Sequence, residues 1–467
     1  MSRLSVSDCQ IDKLNLKAAN GVYDLMPHLL ELNIYENIFS NHLTGNISLT
    51  DSFNLPYTLP VRGEEILECK FGLPALVEYM PVEPPPLHIT NLSDRFLKGS
   101  ASSEQFALKF VSEQCMSNLH SCVSKAYTDW PLGDVIFDIW ENYLDDDRHG
   151  IHLEPTYNNI TCIIPSWHPH EAINWLIGRA RPQTEGNAVN YLYYETLDGI
   201  ICKSLQTLAK QQPVLTMGLE QRVDDQHSIE ALSSGHVKVD KLYFVDDFKK
   251  LHNVTNGYYT SKLLTHDITT KKILQYDYSS IAEWEMYNHI SEYRPIADSE
   301  IEIRGADENR TSFAPRAEDW AIEEGKYLSQ QTDSHVHFYP THTNLYQNSA
   351  AAPDEVLYHN EVEEWRSQRY GQLSYFSTNA IRMRVECGGV NSLRAGNIVK
   401  LFVPTPQGCV RPEDAYDKFL SGNYMVSAIR HIVSTVNANT DYKMIVDLIS
   451  DGLSEAPPER TSMRAEK

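Results

Sequence analysis

The 467 residues carry 40 Lys and Arg against 63 Asp and Glu, a formal charge of −23, with 42% hydrophobic and 10% aromatic residues. A chain of this length has room for about three domains, and its acidic balance argues against gripping nucleic acid by counterion release or docking on an anionic membrane. No run approaches 18 apolar residues and the first eight, Met-Ser-Arg-Leu-Ser-Val-Ser-Asp, lack an apolar core, so neither a membrane span nor a signal peptide is expected.

Residues 1–20 are polar and read as extended. From Leu29 to Cys69 the pattern is short alternating strands, with Ile47 and Leu49 on one face and Ser48 and Thr50 on the other. A turn at 61–65 leads into a strand at 66–71, three prolines at 84–86 break the chain, and 105–111 forms the last strand of a first β-barrel domain, residues 1–118. The period then changes. Leu132, Val135, Ile136, Ile139, Trp140 and Tyr143 make one helical face, with Asp134 in the first turn where the macrodipole favours it. A strand at 159–165 precedes a second helix with the stripe Ala172, Ile173, Leu176, Ile177 and Ala180, and Asp198-Gly199 turns one strand into the next. These elements predict an α+β domain over 119–218.

Residues 219–237 read as a polar connector. A second β-barrel domain is expected over 238–280 and 366–453, split by an irregular insertion at 281–365 that holds acidic clusters and a His-rich stretch. A polar stretch within it and beyond, 361–370, reads as helical. Alternation is strict at Ile381, Met383, Val385 and Cys387, and further strands follow at 398–401, 424–429 and 442–448; residues 454–467 read as a flexible tail. The fold class is thus mainly β with α+β: two related antiparallel barrels, an inserted α+β domain and a long insertion. The eight cysteines form no C-x-x-C pair and read as small buried hydrophobes of a reducing compartment.

Two distant segments read like copies of one small barrel. Residues 33–40 and 43–52 form the first, and 239–245 with 256–267 the second; each holds a Gly, a strand ending in Leu-Thr and a closing Asp. Further blocks lie at Ile163-Ile164-Pro165-Ser166-Trp167 with 172–176, at Tyr193-Tyr194-Glu195-Thr196-Leu197-Asp198-Gly199, and at Gly396-Asn397 with 421–426. Lys125-Ala126-Tyr127, with the helix after it, and Ile429-Arg430-His431 belong to the same series. In order and spacing, these blocks resemble the central baseplate hub proteins of contractile-tailed bacteriophages, typified by the T-even hub, across most of residues 20–453.

The resemblance implies a homotrimer in which two barrels per chain present a six-fold-like ring to the hexameric tail tube. The other domains would hold the central spike. The partners implied are the spike, the tube and its initiator proteins, the tape-measure protein and DNA passing without specific binding. Related subunits occur in type VI secretion spikes and other contractile injection machines. The implied location is the virion tail baseplate, assembled in the host cytoplasm, with an acidic lumen past which DNA slides.

Catalytic and metal motifs were weighed against this reading. His168, His170 and Glu171 sit at a helix start, where a local cap is the simpler role. His335, His337, His342 and Asp333 are a better ligand set, because His335 and His337 share one face of a strand. Asp145-Asp146-Asp147 lacks the Gly and distal Glu of a calcium loop. Glu64-Glu65 and Glu363-Glu364 would point to opposite faces of a strand, unlike paired glycosidase carboxylates. No G-x-S-x-G, Walker A or H-E-x-x-H motif occurs. No catalytic, cofactor or metal residue is assigned, and the chain is read as non-enzymatic. Arg382, Arg384, Tyr258 and Tyr259 are candidate interface residues on exposed strands. The alternatives are a peptidoglycan hydrolase with its carboxylates in 281–365, or a carbohydrate-binding β module using Tyr and Trp.

Overall fold

The computed structural model describes residues 8–52, 55–58, 61–74, 81–98, 103–144, 150–183, 190–219, 235–246, 249–267, 271–295, 300–301, 326–327, 335–341, 371–405, 416–436 and 439–456. The first half is a sheet of alternating strands. β1 (Gln10–Ala18) buries Leu14 and Leu16; β2 (Gly21–Asp24) returns beside it; β3 (Leu29–Asn37) buries Leu32 and Ile34; β4 (Thr44–Asp51) buries Ile47 and Leu49. One turn of helix, α1 (Leu55–Thr58), precedes β5 (Ile66–Gly72), β6 (Leu87–Lys98) and β7 (Ser103–Ser112). The hydrogen-bonded order is β2-β1-β5-β6-β7-β4-β3. Gly45 is required in β4: a Cβ there would run into the Asn33 carbonyl and the Phe110 ring.

Next comes the mixed unit. α2 (Glu113–His120), β8 (Val123–Pro131) and α3 (Leu132–Tyr143) are followed by β9 (Ile151–Leu153), β10 (Asn159–Trp167) and α4 (Pro169–Ile177). β11 (Tyr191–Thr196) and β12 (Gly199–Ser204) form the expected hairpin, with Gly199 at φ +135° in the turn. The stripes of α3 and α4 face the same core, where Val135, Ile139, Ile173 and Leu176 are buried with Ile164 and Cys202. A short α5 (Leu205–Ala209), capped by the Ser204 hydroxyl, leads out.

The second half closes a barrel. β13 (Leu215–Gly218) and β14 (His236–Asp246) lead to α6 (Lys250–Thr255) and to β15 (Thr260–Asp267) and β16 (Lys272–Ser279). The insertion contributes β17 (Glu300–Ile301), β18 (Lys326–Tyr327) and β19 (Val336–Thr341). After it come β20 (Ile381–Gly388), β21 (Ile398–Phe402), β22 (Gly422–Val436) and β23 (Asn439–Ser450). The order β22-β21-β13-β14-β20-β23 returns to β22, a closed six-stranded barrel. β13 runs parallel to both its neighbours, whereas the other barrel pairs are antiparallel.

The long strand β22 also pairs with β3, from Ala428 opposite Asn37 to Ser434 opposite Glu31. The two halves are therefore one sheet, and one hydrophobic core runs from Leu14, Ile34 and Phe110 to Val385, Met444 and Val446. At the far side Asp8 bridges Asp441, and the Cys9 N–H donates to the Thr440 carbonyl.

Two sequence expectations change. The supposed second copy, 239–267, is not a hairpin: β14 lies in the barrel, while β15 lies in a separate sheet, β16-β15-β19, because α6 redirects the chain between them. The barrel also takes β13 from residues the sequence assigned to the α+β domain. The 361–370 helix and the tail beyond residue 456 lie outside the described residues, as does most of the 219–237 connector. The seven described cysteines are free, and burial pushes the Cys69 and Cys387 thiols up to about 12.

Candidate assembly site

Two buried carboxylates join the large sheet to the mixed unit, and a third braces the mixed unit itself. In β3 the inward phase runs Leu32, Ile34, Glu36, so the pleat carries a carboxylate into the core, fully shielded from solvent. Its oxygens accept from the Leu197 N–H at 3.0 Å and the Ala395 N–H at 2.8 Å. His431 Nε2 lies 3.6 Å away and Arg394 Nε 4.0 Å. Burial pushes the Glu36 carboxyl up, but His431, Arg394 and the Ala395 N–H outweigh it and hold the group below its ordinary value. His431 Nδ1 is 2.8 Å from the Tyr442 hydroxyl, and Arg394 Nη2 donates to Asp198 at 2.6 Å. Glu36 thus pins the β11–β12 turn and the 391–397 loop to both barrel halves.

Glu195 acts in the same way, while Glu154 works within the mixed unit. Glu195 of β11 accepts from the Leu43 N–H at 2.8 Å and from the Ser112 hydroxyl, fixing the mixed unit to the β3–β4 hairpin and the end of β7. Glu154 accepts from the Ser204 N–H at 2.7 Å and the Thr207 hydroxyl at 2.8 Å, holding the start of α5. Each carboxylate meets N–H or O–H donors from distant segments, the condition for burying charge without prohibitive cost. The sequence reading missed all three. A Glu in the apolar phase of β3 and a His in that of β22 were the available signals.

The surface carries exposed apolar side chains in several places. The outer face of the β8–β10 ribbon holds Ala126, Pro165 and Ile163, the last 73% exposed. Tyr243, Phe244 and Val245 are exposed together at the end of β14. One face of the β16-β15-β19 sheet presents Ile273, Val336 and Phe338. A groove of about 640 Å³ crosses the first sheet between Glu31, Asn46, Asp94, Phe96 and Gln105. Exposed apolar surface such as that of the β8–β10 ribbon marks interaction sites.

The expected interface residues fare differently. Tyr258 and Tyr259 are each only 4% exposed; they precede β15, and Tyr258 stacks on Tyr375 at 3.9 Å. Burial pushes the Tyr258 hydroxyl well up. They are core residues, because α6 folds back over them instead of leaving a strand face open. Arg382 donates to the Phe376 and Ser377 carbonyls, and exposed Arg384 forms a two-pronged pair with Asp447 at 2.6 and 3.0 Å.

The metal and carboxylate candidates separate too. His168 Nδ1 lies 2.9–3.0 Å from the Ser121 and Asn118 carbonyls, a local tie between α2 and α4, while Glu171 is exposed on α4. His170 is buried away from them. The His335 and His337 rings pair edge to face at 4.3 Å; Asp333, His342, Asp145-Asp146-Asp147 and Glu363-Glu364 lie outside the described residues. Glu64 is exposed, whereas Glu65 is buried and accepts from the Arg62 and Gly63 N–H groups of its own turn. Among the described residues, no three His, Cys, Asp or Glu gather as a metal set, and no helix is long and apolar enough to cross a membrane.

No protein-family model matches the chain, and no curated protein matches it. Solved structures do. The tail protein from Neisseria meningitidis MC58 superposes with a TM-score of 0.50 at 9% identity, over 95% of this chain and 97% of that one. The 43 kDa tail protein of prophage MuSo2 from Shewanella oneidensis gives 0.49 at 9%, over 95% and 100%. The E. coli c3393 protein, described as a type VI secretion component similar to the T4 tail proteins gp27 and gp5, gives 0.42 at 10%, over 96% and 79%. The chain has the hub-like fold of a phage tail protein, as the sequence blocks led one to expect.

Proposed function

We propose that this chain is the structural hub of a contractile tail baseplate. It assembles as a homotrimer whose two barrel halves per chain repeat six times around an axis, matching the three-fold spike to the hexameric tube. The observation that carries the reading is the fold shared with the Neisseria tail protein along nearly the whole of both chains. The continuous β3–β22 pairing supports it, since the two halves must act as one rigid body to set a ring's angles. The pins at Glu36 and Glu195 support it as well, by fixing the mixed unit against that body.

On this reading the protein works by geometry and not by catalysis. Three chains of −23 each would carry −69 formal charge in total, and an acidic lumen would let DNA pass without sticking. The spike, the tube and its initiators, and the tape-measure protein would meet the apolar faces, in the virion tail. Light scattering behind a sizing column tests the assembly: a species near 160 kDa, three times the 53.3 kDa chain, is expected. A monomer that clears cell walls in a zymogram would replace this reading with a hydrolase.

A further inference from the structure

Two histidines meet where the β3–β4 hairpin packs on α4. His42 lies in the hairpin connection and His170 on the first turn of α4, with their rings stacked at 6.4 Å and 19° between planes. The Tyr193 ring of β11 lies 5.6 Å from His170. Asn41 and Asn174 side chains hydrogen-bond across the same joint at 3.2 Å, and Asn118 of α2 accepts from the His170 backbone N–H at 2.8 Å. His170 is 6% exposed, and apart from the Gln114 backbone of α2 its ring nitrogens find no polar partner. A phenyl ring would fill such a place without leaving polar atoms unsatisfied.

We propose that the His42–His170 pair is an acid-sensitive latch: neutral, it lets the hairpin sit on α4; protonated, it drives the two apart. Of the groups facing His170, all but the α2 backbone favour this. From the hairpin it meets His42, whose charge would repel its own. From α2 the Gln114 carbonyl faces the ring and favours its charged form. From β11 it meets the Tyr193 hydroxyl, itself without a partner, while Glu195, two residues along, spends its carboxylate on Leu43 and Ser112. On α4 the adjacent Glu171 is exposed to solvent. A proton on His170 therefore enters a site with no carboxylate committed to it.

Burial, then His42, pushes His170 down from 6.5 to about 3, and burial lowers His42 as well. A histidine held neutral in the closed joint and released to its ordinary value on opening gives full stability above about pH 6.5. That stability is lost as the pH falls from there toward 3. For His170 alone, acidification to pH 5 should favour the open joint roughly 30-fold.

The test is hydrogen exchange on the full chain at pH 7.5 and pH 5.0, with labelling times corrected for intrinsic exchange. Peptides covering 37–44 and 169–177 should lose protection at least tenfold at pH 5, while β20 and β23 keep theirs. His170→Phe should remove the acid response, and His42→Phe should reduce it. Unchanged protection in the wild type, equal loss across all strands, or an acid response that survives His170→Phe would overturn the latch. If neither variant folds, the wild-type pattern alone decides.

Discussion

At the scale of single residues, fold integrity rests on polar atoms placed where periodicity expects apolar ones. Glu36 is shielded completely and serves two backbone donors, with the Arg394 guanidinium and the His431 ring beside it. Glu36→Gln would face those N–H groups with its own N–H and leave Arg394 without its buried partner. Breaking a buried charged network typically costs about 3–5 kcal/mol, so denaturant unfolding should show a loss of that order. The pH sign follows from the lowered carboxyl: its contribution is present above the ordinary value of 4.5 and is lost as the pH falls through the lower native value. Acid unfolding of Glu36→Gln should accordingly be shallower in that range than for the wild type. Gly396 shows the same tightness in the backbone. It sits at φ +87°, and a Cβ would strike the Tyr194 hydroxyl. Gly396→Ala combines strain with overpacking and should cost about 3 kcal/mol, read by thermal unfolding.

At the scale of elements, β22 is the strand on which both halves depend. Ile429 pairs with Glu36 on one side and Val446 on the other, so both edges of β22 are used there. Ile429→Pro would remove a ladder bond in a central strand and should cost about 3 kcal/mol or more. The same change at Val22, exposed on the edge strand β2, should cost far less; paired melting curves make the comparison. Because β22 belongs to both halves, calorimetry should also find them melting in one transition. The elements that were legible in the sequence are those whose pattern is local. The α3 stripe, the α4 stripe and the alternation of β20 were read correctly because helix and strand periods of 3.6 and 2 are set by the backbone alone. β13 is four residues long and was not recognised, since its identity depends on the parallel neighbours β14 and β21.

At the scale of the whole molecule, charge and shape carry the functional reading. A chain of −23 without clustered Lys or Arg should not be retained on immobilised duplex DNA even at low salt, because it has few counterions to release. Retention that weakens steeply with salt would show a basic surface and would contradict the proposed acidic conduit. Like-charged copies can still associate through uncharged faces such as the β8–β10 ribbon. Ile163→Glu, at a site 73% exposed, should leave the monomer's melting temperature nearly unchanged while shifting the mass toward 53.3 kDa if that ribbon meets another copy.

The sequence by itself determined the balance of strand and helix, the inward face of each long element and the acidic surface, because all three follow from side chains and local backbone geometry. It also held, in the order of its blocks, the resemblance that the fold shares with a phage tail protein. Only the tertiary structure decided which strands are neighbours: β3 with β22, β13 between two parallel partners, and β15 away from β14. It likewise decided that Tyr258 and Tyr259 are core, and that Glu36, Glu195 and Glu154 are joints. Periodicity states that a face is buried but not what buries it, and the donors that make a buried carboxylate tolerable come from segments more than eighty residues away for Glu36 and Glu195.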